Sequence, residues 1–212
     1  MGDNKAMKVC LDLHDFSVVN NRLLWLYALK EKFPQFKVTL FTVPIDEEQN
    51  WGPYTIRNQY LKEIKENLDW MELVPHGLYH NSSYEAEGID YAHFKHEMVP
   101  AIEQAFREDG LPFEQGFCAP HWRWSSHITK ALDDMGWWGA IDRDKKMHRP
   151  KRFYQYNYLL NEPFWESDEP VLKLHGHIYG TKNDLGLCFD NLLKLEPPIE
   201  WCFASEVLDE TV

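Results

Sequence analysis

Runs with apolar residues at alternate positions give way, from one end of this chain to the other, to runs with apolar residues every three or four positions. Such an alternation of strand and helix periods selects a βα-repeating architecture with a parallel sheet over separate all-β and all-α blocks. Strands are expected at Met7 to Leu13, Lys37 to Val43, Met71 to Val74, Glu114 to Cys118, Trp138 to Ile141, Val171 to Leu174 and Ile199 to Phe203. Helices are expected from Val18 to Phe33, where Pro34 stops the first, and from Thr55 to Leu68, with Ile56, Tyr60, Leu61, Ile64 and Leu68 on one face. Further helices are expected from Asp90 to Arg107, kinked or divided by Pro100, from Ser126 to Met135, stopped by Gly136, and at Ser205 to Leu208. Residues 145–169 show no clean period and read as loop with one strand at Gln155 to Leu159. About seven strands in 212 residues suggest one domain, 1–212, of α/β class, a barrel smaller than the typical eightfold one.

Composition narrows the partners. The net charge of −12 opposes nonspecific attraction to nucleic acid and to anionic lipid, which both need a positive surface. No run approaches the roughly 18 consecutive apolar residues of a membrane span, since Arg22, Lys30 and Glu31 bracket the richest stretch, Leu23 to Leu29. Met1 to Ala6 lacks the basic and apolar regions of a secretory signal, so a cytoplasmic location is the expectation. Cys10, Cys118, Cys188 and Cys202 are widely spaced without a CxxC pair and read as reduced, structural thiols.

Four segments place ionisable residues just after expected strands: Asp12-Leu13-His14-Asp15, His76-Gly77-Leu78-Tyr79-His80, Cys118-Ala119-Pro120-His121-Trp122 and His175-Gly176-His177. In a parallel α/β barrel the carboxyl ends of the strands face one common site, so these segments converge. His76 and His80 form the sharpest pair. Pro75 and Gly77 argue against a helix there, so the two imidazoles meet one centre from a loop; the plainer alternative is two unrelated surface histidines. Imidazoles are the commonest ligands of zinc-like ions, and a carboxylate balances the charge, for which Asp15 is the natural candidate. His93 and His96 lie in a polar stretch and read as a solvent-facing pair.

The combination resembles the ordered motifs of the polysaccharide deacetylase (NodB-homology) family, the metal-dependent carbohydrate esterases, over most of the chain from Val9 to about Leu208. In that family an early strand ends in two aspartates, a base and a metal ligand; here the pair is His14-Asp15, so Asp15 keeps the ligand and His14 replaces the base. The family's His-[Ser/Thr]-x-x-His is matched by His76 and His80, with Gly77 in place of the hydroxyl residue. Its Arg-x-Pro-aromatic motif is matched by Cys118-Ala119-Pro120-His121-Trp122, with Cys118 in place of the arginine that orients the base. Leu172-Lys173-Leu174-His175 is similar to the late Leu-x-x-His motif, whose histidine is the general acid. Divergent members of the superfamily carry His-Asp and His-Gly-x-x-His, and this chain looks closer to them.

The resemblance implies a distorted (β/α)7-type barrel holding one divalent transition metal ion, zinc first with cobalt or nickel as options, on Asp15, His76 and His80. It implies removal of an acyl group, N-acetyl first, from a sugar or similar small amide. His14 or Asp12 is the base, and Asp12 and His14 share a strand face opposite Asp15, so the strand must bend near His14 for all three to reach the site. His175 is the general acid, with His177 as its rival if the strand runs on past Gly176. Pro120, His121, Trp122 and His177 are expected to line the substrate pocket, and Asp142 to support the general acid. The changed base and missing arginine keep a second expectation open, a catalytically weakened protein that binds carbohydrate or metal. A third is hydrolysis of another C–N bond by the same kind of site.

Overall fold

The structure, a computed structural model, describes residues 6–45, 54–80, 85–196 and 198–211. The N-terminal segment before Ala6 and the side chain of Ile56 lie outside the described residues. In chain order the elements are β1 (Met7–Phe16), α1 (Leu23–Lys32), β2 (Val38–Thr42), α2 (Tyr54–Lys65), β3 (Met71–Pro75) and α3 (Tyr91–His93). A π-turn (Phe94–Met98) continues α3 into α4 (Val99–Asp109), and β4 (Gly116–Cys118), α5 (Ser126–Met135), β5 (Trp138–Ile141), β6 (Arg152–Gln155) and β7 (Tyr158–Leu159) follow. Last come β8 (Val171–His177), α6 (Leu185–Leu192), β9 (Ile199–Cys202) and β10 (Asp209–Glu210).

The ladders trace a distorted ring. Strand β1 pairs in parallel with β2 and β8, and β2 pairs in parallel with β3. Strands β4, β5 and β6 form a second parallel set, closed at its edge by antiparallel β10. One parallel bridge, His76 to Cys118, joins β3 to β4. Across the ring the stretch 152–159 pairs with β5 through its first half and with β8 through its second. The staves are therefore β1, β2, β3, β4, β5, β6 with β7, and β8, a (β/α)7-type barrel whose β3–β4 seam carries that bridge together with hydrogen bonds from the Glu114 amide to the Leu73 carbonyl and from the Gly77 amide to the Cys118 carbonyl. Since β8 occupies one edge of β1 along Lys8 to His14, β9 shares the other edge with β2, pairing Met7 to Cys10 while β2 begins at Asp12.

Strand alternation decides what fills the ring. One buried cluster takes inward residues from successive staves, Cys10, Phe41, Val74, Cys118, Trp138 and Tyr154. A larger one, including Leu11, Leu13, Leu40, Leu73, Ile102, Phe117 and Leu174, packs the other strand faces against the helices. Trp124, Trp137 and Trp138 are all buried, as core residues should be. No helix among the described residues is long and apolar enough to cross a membrane.

Several sequence expectations need correction. The first helix starts at Leu23 instead of Val18, because Asn21 bonds back to the Val18 carbonyl and forward to the Leu23 amide, and Arg22 takes φ 47°. The interruption at Pro100 takes the form of a π-turn: its Val99 amide reaches back to the carbonyl of Phe94, and Pro100, which has no N–H, falls in the first turn of α4 just beyond it. The expected strand Gln155 to Leu159 is two short strands, since residues 152–155 and 158–159 pair with different neighbours. Ser205 to Leu208 is a 3-10 turn at Ala204–Glu206 leading into β10. Strand β8 runs on through Gly176, where a Cβ would stand 2.4 Å from Leu160 Cδ1, so only glycine lets the strand pass.

Candidate metal centre and its proton-transfer histidines

The carboxyl end of β1 carries the bend the site requires. Its register with β2 shifts between Leu13 and Phe16, and Asp15 takes φ 61°. Asp12 and His14 keep the inward alternation, while the bulge turns Asp15 to the same side. Asp15 Oδ1 lies 3.4 Å from His76 Nε2 and 3.3 Å from His80 Nε2. One ligand atom from each of the three residues lies within 4.8 Å of the other two. His76 Nδ1 donates to the Cys118 carbonyl at 3.1 Å across the seam, which leaves the Nε2 lone pair facing Asp15.

These residues fit a metal of the expected kind. Ligand atoms about 2.0–2.1 Å from a tetrahedral zinc-like ion stand about 3.3–3.4 Å apart, the spacing of Asp15 from each histidine here. The protonation states suit it too. Burial alone raises the Asp15 carboxyl, but the hydrogen bond and charge of His76, with the charges of His177 and His80, hold it at about 2. Burial, reinforced by neighbouring His76, lowers His80 to about 4, so the site presents an ionised carboxylate and a neutral imidazole near neutrality.

The loop after β3 is built to deliver His80. Gly77 has φ 69°, and a Cβ there would stand 2.6 Å from Pro120 Cγ. Any side chain in the place of the family's hydroxyl residue would collide here with Pro120 and with the Glu85 carboxylate, 2.9 Å from such a Cβ. The Glu85 carboxylate accepts from the backbone amides of Leu78, Tyr79, at 3.0 Å, and His80, at 2.8 Å. Three N–H groups are thereby satisfied by one side chain, and His80 is held at φ 54°.

Beside this triad sits a second group on β1 and β8. His175 Nδ1 lies 2.6 Å from Asp12 Oδ1, and Asp12 Oδ2 accepts from the Tyr154 hydroxyl at 2.9 Å. Tyr154 in turn receives the Cys10 thiol at 3.6 Å. Asp12 is fully buried with both oxygens engaged, an arrangement that orients His175 and keeps Asp12 away from water. The Tyr156 ring stacks on His175 with centroids 4.6 Å apart, and its hydroxyl donates to Asp142 at 3.3 Å. The carboxylate on the expected general acid is therefore Asp12, and Asp142 is one aromatic ring removed. His14 packs between His76 and His175, 4.5 Å from each ring, with Nε2 3.6 Å from Cys118 Sγ. Burial and the surrounding histidines push its pKa well below the usual value, and burial pushes the Cys118 thiol well up.

His177 shares the inward face with His175. Its Nδ1 is 3.1 Å from Asn183 Oδ1, which also accepts from Thr181 Oγ1 at 2.6 Å, while Asn183 Nδ2 reaches the His175 carbonyl at 3.4 Å. The amide orientation is thus fixed, and with it the His177 tautomer, N–H on Nδ1 and lone pair on Nε2. Pro120, His121 and Trp122 form the rim. Trp122 packs 4.5 Å from His14 and 5.3 Å from His175, and exposed His121 lies 5.3 Å from His80. Among the described residues, the non-glycine residues with positive φ apart from Arg22 are Asp15, His80, His121 and Trp122, so left-handed backbone concentrates at this site. Exposed His93 and His96 lie away from it, His93 pairing with Glu97.

Sequence reasoning missed Glu85, Tyr154, Tyr156 and Asn183. Tyr154 lies in β6 and Tyr156 one residue past its end with the same alternation, a signal that depends on knowing where that strand runs.

The fold is that of the family 4 carbohydrate esterases, the polysaccharide deacetylase class, as solved structures of that family show. Among them, a CE4 family pseudoenzyme from Bacillus anthracis aligns with TM-score 0.62 at 14% identity, over 97% of this chain and 66% of that one. A family 4 carbohydrate esterase from Streptomyces lividans in complex with acetate gives 0.55 at 13% identity, over 91% and 88%. A family 4 acetyl xylan esterase from Clostridium thermocellum in complex with a cobalt ion gives 0.53 at 10% identity, over 94% and 89%. The chain spans about two thirds of the pseudoenzyme's length. No family model matches the chain, and no curated protein matches it in sequence.

Proposed function

We propose that this protein is a metal-dependent hydrolase that removes an acyl group, N-acetyl first, from a sugar or similar small amide. The observation that carries the reading is the juxtaposition of the Asp15, His76 and His80 ligand atoms with the His175 imidazole held by Asp12. Asp15, His76 and His80 would hold a divalent transition ion, zinc or the chemically similar cobalt or nickel. Such an ion supplies water activation and polarisation of the acyl carbonyl. A cobalt-bound esterase and an acetate-bound esterase among the structural neighbours support the class of cofactor and product.

The chain's own residues then divide the proton work. Asp12, fully engaged, holds His175 by Nδ1 and stabilises a positive charge on the ring, so that His175 Nε2 can take up a proton and pass it to the leaving nitrogen. His14, between His76 and His175, is the residue placed to accept the proton of the attacking water. Pro120 and Trp122 fill the wall, with the indole face and His121 available to a sugar ring.

One observation favours a second reading, a weakened catalyst: His14 is buried and poorly basic where the family motif has an aspartate, and one neighbour is a pseudoenzyme. Elemental analysis with turnover on acetylated sugars, formamides and cyclic ureides separates the two. One ion per chain, with activity, both lost in His76→Ala, upholds the hydrolase. One ion without turnover on any substrate supports the weakened reading, and an active protein without metal sinks both.

A further inference from the structure

A second set of metal-competent nitrogens lies beside the first and shares no residue with it. His14, His175 and His177 each offer one ring nitrogen, all within 4.8 Å of one another, while Asp15, His76 and His80 form the separate triad described above. The ring centroids of His175 and His177 are 5.0 Å apart, those of His14 and His177 5.5 Å, and those of His14 and His175 4.5 Å.

Two of the three are already prepared as ligands. Asp12 takes the Nδ1 side of His175 and Asn183 that of His177, so both Nε2 atoms are turned away from their acceptors. A carboxylate or amide oxygen behind a histidine is the support that fixes the tautomer of metal-bound imidazole and raises its basicity. His14 and His175 are buried, whereas His177 is partly exposed and leaves a way in. Three imidazole ligands with an open fourth position suit a zinc-like ion, and a hard cation such as magnesium would find no oxygen ligand among them.

From this geometry we infer that His14, His175 and His177 form a second binding site for a divalent zinc-like ion, and that filling it silences the enzyme. An ion on His175 Nε2 takes the lone pair that must carry the departing proton, and an ion on His14 removes the proposed acceptor. The inference rests on the hydrolase reading only for this inhibitory consequence. Binding itself follows from the second triad alone.

Zinc titration of the metal-free protein by calorimetry, with elemental analysis, tests it. Two ions per chain are expected in the unaltered protein and one in His177→Ala, with the tighter step retained. Asn183→Ala, which keeps all three imidazoles but frees His177, should weaken the second step by about 10- to 100-fold and leave the first in place. In the unaltered protein turnover should rise over the first equivalent of zinc and fall over the second. Saturation at one ion that His76→Ala abolishes would overturn the second site and leave the hydrolase reading standing. Two ions still bound by His177→Ala would also overturn it. Absence of any bound zinc would sink both.

Discussion

Gly77 and Tyr154 show how much single residues carry here. Gly77 has both a left-handed φ and no room for a methyl group against Pro120, so Gly77→Ala should destabilise the protein by about 1–3 kcal/mol and loosen His80 with it. Urea unfolding of the metal-free protein measures the first effect, and the zinc dissociation constant measures the second. Tyr154→Phe removes the donor to a fully buried Asp12 oxygen, which should cost about 1–3 kcal/mol. It should also lower kcat with little change in KM, because its target is the orientation of His175. Cys10→Ala, which loses only a long thiol contact to the same hydroxyl, should do much less.

Among the elements, the junction of β2, β3 and the turn after β9 supplies a pH-dependent link. Glu72 accepts from Thr39 Oγ1 at 2.8 Å and from the Ser205 hydroxyl. Burial raises its pKa, and those hydrogen bonds only partly offset the rise. The folded state therefore holds this proton more tightly than the unfolded chain. Its contribution to stability is complete below the ordinary glutamate pKa and is lost as pH rises through the folded value. Glu72→Gln should flatten that slope, which urea midpoints from about pH 4 to about pH 8 will show; an unchanged slope would assign it to other groups. Elements and site differ in how far local sequence announced them. The bounds of α5 and β5 follow from clean periodicity and a glycine stop, and Asp15, His76, His80 and His175 were visible as ionisable residues after strands. The β1 bulge, the π-turn and the division of residues 152–159 depend on which neighbour each segment pairs with, and no local period encodes that. Tyr154 meets Asp12 across 142 positions, and Glu85 caps a loop by reaching back five to seven residues, so neither belongs to a motif of fixed spacing.

For the molecule as a whole, Asp15 comes from β1 while His76 and His80 come from the end of β3 and its loop, so a bound ion ties separate staves beside the β3–β4 seam. Zinc at about 100 times its dissociation constant should stabilise the fold by about 2.7 kcal/mol, visible as a rise in Tm that His76→Ala abolishes. The pairing of β1 has a different consequence, in time instead of energy. A ribosome makes this strand before its partners β8 and β9, which follow more than 150 residues later, and Asp12 waits across 163 positions for His175. During synthesis these edges of β1 stay unpaired until β8 and β9 emerge, so this is the stretch a nascent chain must keep from neighbouring chains, and the one where holdase chaperones should be found.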